Sequence, residues 1–240
     1  LGANTTADNN TAVGTSALQN NTASNNTAVG RNALALNTTG TSLVAIGADA
    51  LYSNTTAANN IAIGLQALYY NTTGSENTAV GRSALVSNVS GSNNTAIAYG
   101  ALNNNTTGVQ NIAVGRNALG SNTSAANNTA VGFNSLSANT TGPGNTAIGK
   151  SAGSAITTGG ENIAIGFDAG LTGSPGGNIT TSNRYVLIGD ENIAQAHIQV
   201  DWTVASDARD KTDFTALDLG LDFVKDLQPV TYKWDKRSQY

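Results

Sequence analysis

The chain has 240 residues, enough for one large domain or two ordinary ones, yet only 11% of them are charged, against about 25% in an ordinary soluble domain. Aromatic residues make up 5% and glycine contributes 27 residues, with a mean hydropathy of −0.17, which argues against both a layered globular core and a highly charged disordered chain. With 0 Cys, a net charge of −4, a pI near 4.7 and no long apolar run, the sequence offers no disulfide framework, thiolate site, nucleic-acid footprint or membrane span. No metal or cofactor is expected. The opening Leu1-Gly2-Ala3-Asn4 has no signal-peptide character. Because Met is 0, the chain is expected to be a piece of a longer protein.

From the start the sequence is a repeat. Asn-Thr-Ala-Val-Gly or a close variant ends at Gly14, Gly30, Gly64, Gly81, Gly115, Gly132, Gly149 and Gly166, with degenerate copies ending at Gly47 and Ala98. Those closing positions step once by 16 residues and then eight times by 17. An Ala-Leu pair keeps the same phase from Ala17-Leu18 to Ala118-Leu119, and Asn-Thr-Thr or a variant recurs at Asn4, Asn37, Asn54, Asn71, Asn105 and Asn139. One unit reads N-[TI]-A-[VI]-G-x-x-A-L-x-x-N-T-T-x-x-N.

Seventeen residues are too few for a helix pair and suit one coil of a β-solenoid. Within N-[TI]-A-[VI]-G the side chains alternate, so Thr11 and Val13 share one side while Ala12 and Gly14 share the other. The β-branched set is expected to point inward between coils. The near-invariant Ala then marks either close approach by another surface, such as a subunit interface, or a tight corner. Leu18, Leu34, Leu51 and Leu68 are expected to form a second inward column. Two Asn columns, one through Asn10, Asn26 and Asn60 and one through Asn21, Asn37 and Asn54, are expected to stack as amide ladders. The repeat accounts for the many N-x-[ST] sequons better than glycosylation does. Ten coils at about 4.8 Å each give a rod about 48 Å long. Such thin coils bury little alone, so a homotrimer is expected.

The motifs N-T-A-V-G-x-x-A-L and N-I-A-I-G-x-x-A-G resemble the head repeats of trimeric autotransporter adhesins, which implies a left-handed parallel β-roll. The longer unit carrying N-T-T-G is more similar to shaft repeats of phage tail fibres. The resemblance covers about residues 1–170 and implies architecture, not a ligand.

After about Leu171 the phase breaks. Gly173-Ser174-Pro175-Gly176-Gly177 signals a loop, and Arg184 to Gly189 reads as a final, off-phase coil. Of 26 charged residues, nine lie in 1–170 and 17 in the last 70. Ile198, Val200, Trp202 and Val204 alternate with polar residues as a half-exposed strand; Leu217 to Leu227 has helical spacing stopped by Pro229; Val230, Tyr232 and Trp234 form another short strand. The expected fold is therefore all-β, a parallel β-solenoid of about ten 17-residue coils with a short α+β C-terminal segment. Its regions are 1–170 (repeats), 171–204 (final coil and connecting strand) and 205–240.

Ser206-Asp207-Ala208-Arg209-Asp210-Lys211, then Leu219 to Lys225, then Pro229 to Trp234, closely resemble the start of the self-cleaving intramolecular chaperone domain that ends phage tailspikes and tail fibres. The resemblance implies assistance to trimerisation, followed by cleavage between Ala205 and Ser206 with Ser206 as nucleophile and Lys211 as its base. A serine hydroxyl needs such a base, and Ser-Lys pairs serve that role once the lysine pKa is lowered. Asp207 and Arg209 either orient the pair or simply form a surface ion pair, and His197 reads as an ordinary exposed residue. The family domain normally continues beyond the Tyr232-Lys233-Trp234 strand, whereas this chain stops at Tyr240. The sequence also runs through the cleavage position, so this form is either uncut or inactive.

The function expected is a structural trimeric fibre of a phage tail, in the virion, that takes part in host attachment. The alternative is an adhesin head on a bacterial surface. An ice-binding solenoid is disfavoured, because Ile61, Ile112 and Ile163 at the Thr position imply an inward site. A glycan hydrolase needs paired carboxylates, and the repeat acids Asp8, Asp49, Glu76, Glu161 and Asp168 are scattered. If the rod contacts a cell-surface receptor, protein or glycan, the variable outward positions are the candidates: Tyr52, Tyr69, Tyr70, Arg82, Arg116 and Phe133, since rings beside cations bind sugars or anionic polymers. Their plainer reading is as solvated or intersubunit side chains. Neither nucleic acid nor membrane insertion is expected.

Overall fold

The computed structural model describes residues 2–174 and 177–192. Every regular element among them is a three-residue strand, and none is a helix. The strands are β1 (Thr11–Val13), β2 (Thr27–Val29), β3 (Val44–Ile46), β4 (Ile61–Ile63), β5 (Thr78–Val80) and β6 (Thr95–Ile97). They continue as β7 (Ile112–Val114), β8 (Thr129–Val131), β9 (Thr146–Ile148), β10 (Ile163–Ile165) and β11 (Val186–Ile188). All belong to one eleven-stranded sheet whose order is the chain order, and each pairs in parallel with the next. Equivalent residues face each other, Thr11 with Thr27 and Ala12 with Ala28, through to Ile163 with Val186. The molecule is an all-β solenoid, and the off-phase Arg184 to Gly189 stretch supplies its last strand.

One orientation is the reverse of the sequence expectation. From β2 to β10 the Ala at the centre of each strand points inward: Ala28, Ala45, Ala62, Ala79, Ala96, Ala113, Ala130, Ala147 and Ala164 are all fully buried. The β-branched residues on either side point out, as Ile61 at 39% and Ile63 at 37% exposure illustrate. The cause is volume. A coil this thin receives a whole Leu from the opposite wall, since Leu18, Leu34, Leu51, Leu68, Leu85, Leu102, Leu119 and Leu136 are at 0% exposure. Only Ala fits across from that column. The invariant Ala thus marks close packing inside the coil and not a subunit contact. Each buried Leu contributes roughly 1.5–3 kcal/mol.

The corners need unusual backbone. Leu34 and Leu51 sit at φ 53° and 49°, a left-handed conformation that costs a bulky residue about 1–2 kcal/mol. Stacking compensates, because the N–H of Leu34 donates to the carbonyl of Ala50 at 3.0 Å and that of Leu68 to Ala84 at 3.0 Å, so the ladder continues on the wall opposite the sheet. The glycine closing each strand has a packing reason too. Gly64 lies at φ 133°, and a Cβ there would meet the carbonyl oxygen of Gly81 at 2.6 Å. The exception is Ala98, at φ 102°.

The Asn ladders form as expected. In one column each side-chain amide donates to the amide oxygen of the preceding coil, Asn54 to Asn37 at 2.8 Å and Asn88 to Asn71 at 2.8 Å. Each also donates to a carbonyl three residues ahead, Asn88 to Gly91 at 2.9 Å. In the other column the side-chain oxygen accepts the backbone N–H of the next coil, as Asn77 accepts from Asn94 at 3.0 Å. Both columns are buried, which makes the sequons at Asn37, Asn54, Asn71 and Asn105 structural amides. Where Leu43 replaces Asn in the second column, its N–H still donates to Asn26 Oδ1 at 3.0 Å.

Candidate binding surfaces and the C-terminal segment

Three surfaces follow from the coil geometry. The first is the outward face of the sheet. Its second outward position is Val or Ile in all eleven strands, while the first is a mixture of Thr, Ile and Val. Parallel, in-register pairing stacks these side chains into unbroken columns, with Val13, Ile46, Ile63, Ile97, Ile148, Ile165 and Ile188 all exposed. Ile at the Thr position therefore points outward, contrary to expectation. What weighs against a water-ordering array is instead that the second column carries no hydroxyl at any strand.

The second surface is the position after the closing glycine. From Arg82 it alternates between cation and ring for six consecutive coils: Arg82, Tyr99, Arg116, Phe133, Lys150 and Phe167, all exposed. The guanidinium carbons of Arg82 and Arg116 lie 5.8 and 5.5 Å from the Tyr99 ring centre. Arg116 is also 5.9 Å from Phe133, and Lys150 Nζ is 4.9 Å from Phe167. Such distances give cation–ring attraction. Three of the predicted residues, Arg82, Arg116 and Phe133, are thus in one ladder. Tyr99, Lys150 and Phe167 are the members missing from the six predicted residues, although the strict alternation of cation and ring at this position is their signal.

Earlier in the same column the pattern is absent. Arg31 is engaged by Asp49, Nη2 to Oδ2 at 2.6 Å, and Asn32 donates to the other Asp49 oxygen at 3.0 Å. Among the described residues no carboxylate pairs with Arg82, Arg116 or Lys150.

The third surface is the tyrosine cluster. Tyr52 and Tyr69 stack with ring centres 5.1 Å apart and planes 9° from parallel, and Tyr70 meets Tyr69 edge-on at 4.7 Å. These three predicted residues come together, separately from the cation–ring ladder. Desolvation first, then the neighbouring Tyr52 and Tyr70 hydroxyls, push the Tyr69 phenol above its ordinary pKa. Of the scattered acids, Glu161 pairs with Arg184, Oε2 to Nε at 2.7 Å, and no group of three or more His, Cys, Asp or Glu gathers among the described residues.

Ala205, Ser206, Asp207, Arg209 and Lys211 lie outside the described residues, as does His197. Comparison with known families does reach that stretch: residues 206–239 match the family described as the chaperone of endosialidase, the C-terminal chaperone of phage tail fibres. No curated protein and no solved structure matches the chain. The C-terminal segment is thus similar to the tail-fibre type of chaperone, and it follows a parallel β-solenoid in the same polypeptide.

Proposed function

We propose that the chain is part of a phage tail fibre that works as a homotrimer in the virion, with the solenoid as a shaft taking part in host attachment and the C-terminal segment assisting assembly. The observation that carries this reading is the order of parts, a solenoid reaching Ile188 followed by a chaperone segment at 206–239. The outward aliphatic face supports self-association. Exposed apolar surface running along a whole rod marks an interaction site, and a second copy offers a face of the same length and spacing. Sedimentation of the full chain tests it. A species of three times the 24.2 kDa chain mass is expected, and a stable monomer overturns the fibre reading.

By resemblance, the segment also cleaves itself. Lys211 takes the Ser206 hydroxyl proton and Oγ attacks the carbonyl carbon of Ala205. The Ala205–Ser206 amide breaks as an ester forms, the Ser206 amine is freed, and water then hydrolyses the ester. In a version carrying the complete C-terminal domain, wild type is expected to give two bands on a denaturing gel and Ser206→Ala one. The same uncut band from both removes the cleavage assignment.

A further inference from the structure

We infer that the ladder from Arg82 to Phe167 is a binding track for a linear acidic polysaccharide carrying one carboxylate per disaccharide; this deepens the host-attachment reading and rests on it. Spacing is the first support. Successive coils rise by about 4.8 Å, on the order of what one pyranose adds to an extended polysaccharide. Cations recur every second coil, about 9.6 Å apart, which is the repeat of an extended disaccharide. Rings fill the coils between. An alternating polymer laid along the column places an acidic sugar at Arg82, Arg116 and Lys150, and the apolar face of a neutral sugar on Tyr99, Phe133 and Phe167.

The backbone of the track is held from coil to coil and its charge is available. From Arg82 to Lys150 each backbone carbonyl of the ladder is held by the next coil: Gly100 N–H donates to Arg82 at 3.1 Å, Asn117 to Tyr99 at 3.0 Å, Asn134 to Arg116 at 3.0 Å, Ser151 to Phe133 at 2.8 Å and Asp168 to Lys150 at 3.0 Å. The backbone that carries these side chains therefore need not be ordered on binding. The three cations have no carboxylate partner among the described residues, in contrast to Arg31 on Asp49 in the same column. One residue along the chain from the ladder, Asn117 and Asn134 line a shallow depression of about 440 Å³ together with Ser121 and Ser137. Its amides and hydroxyls suit sugar hydroxyl groups.

The test uses the full chain with hyaluronate oligosaccharides (alternating glucuronate and N-acetylglucosamine), with dextran as the neutral probe and inorganic polyphosphate as the purely anionic one. Calorimetry on samples whose mass is checked by sedimentation is expected to show salt-sensitive binding of hyaluronate and none of dextran. Arg82→Gln with Arg116→Gln is expected to weaken it about tenfold or more, and Tyr99→Ala with Phe133→Ala several-fold. All four side chains are exposed, so these variants keep the fold, and unchanged mass verifies it. Three results overturn the inference while the fibre reading stands: a trimer that does not bind hyaluronate, a trimer whose binding ignores the ladder substitutions, or polyphosphate binding as tightly with the aromatic pair removed. A monomer overturns the fibre reading itself.

Discussion

The coils up to Asn139 and the last two coils solve the same packing problem in opposite ways. In the first group the corner residue is Leu and the amide column is Asn. In the second, Gly153 and Gly170 occupy the Leu position at φ 60° and 81°, while Ile156 and Ile179 stand in the amide column, 1% and 3% exposed. A Cβ on Gly153 would touch Leu136 Cδ2 at 3.0 Å and Ile156 Cδ1 at 3.1 Å. The aliphatic bulk has moved along the chain, three residues from Gly153 to Ile156 and nine from Gly170 to Ile179, and still fills the coil. The amide ladder stops where this happens, which explains why Asn139 Oδ1 is a buried oxygen without a partner among the described residues. What the coil conserves is interior volume, and residue identity follows from where that volume is supplied.

Breaking either solution separately should show the difference. Leu85→Ala empties a corner that no Ile backs up, and a loss of about 2–5 kcal/mol in guanidinium unfolding is expected. Asn88→Ile copies the terminal amide-column residue without its glycine. It strands Asn71 Oδ1, removes one of two acceptors from Asn105, and overfills the coil; a loss of about 1–3 kcal/mol is expected.

The two solutions can also be interconverted. Gly153→Leu alone is expected to cost about 1–3 kcal/mol from overpacking. Ile156→Asn alone leaves the coil underfilled, although it returns a donor to Asn139. Together they restore the Leu-and-Asn arrangement, so the double variant should be more stable than the sum of the singles by about 0.5–3 kcal/mol. Additive singles would show that the two positions do not exchange volume. Ala98→Gly relieves the one strand-closing position that lacks glycine, and a gain of about 1 kcal/mol is expected.

The smallest effect belongs to the closing coil. Glu161 is held below the ordinary carboxylate pKa, first by its hydrogen bond to Arg184 and then by that charge. A lowered carboxylate stabilises the fold above its unfolded value and loses that contribution as pH falls through the lowered one. Glu161→Gln should therefore flatten a slight acid-side slope in melting temperature. The pair is fully exposed, and an unchanged slope would mean that solvent screens it.

Much of this architecture is legible in the amino-acid order alone. The 17-residue phase predicts the strands, the Leu column and both amide ladders, because a parallel solenoid turns sequence period directly into stacking. The resemblance of Ser206 to Lys211 and the motifs after it to the tail-fibre chaperone agrees with the family match. The strand face is where the sequence misleads, because the β propensity of Thr, Val and Ile suggests core residues. That propensity needs only a pleated surface to pack on, and the space inside is already claimed by Leu34 and its equivalents. The exchange of Gly153 with Ile156 is visible as two substitutions in phase, yet its meaning needs the knowledge that the two positions share one cavity. The cation–ring contacts require geometry, since a column position alone does not say where a long side chain lies.

The last coil shows how the scaffold tolerates extra chain. Ile163 and Val186 are paired although 23 residues separate them, so six residues more than the usual unit are accommodated between Gly170 and Ile179 without disturbing strand alignment. A solenoid built this way accepts guest sequence at a corner while its neighbours keep their places. Coil number and corner content can then vary independently: whole units change the reach of the rod, and corner insertions change what it displays. New surface loops can thus arise without redesign of the scaffold that holds them.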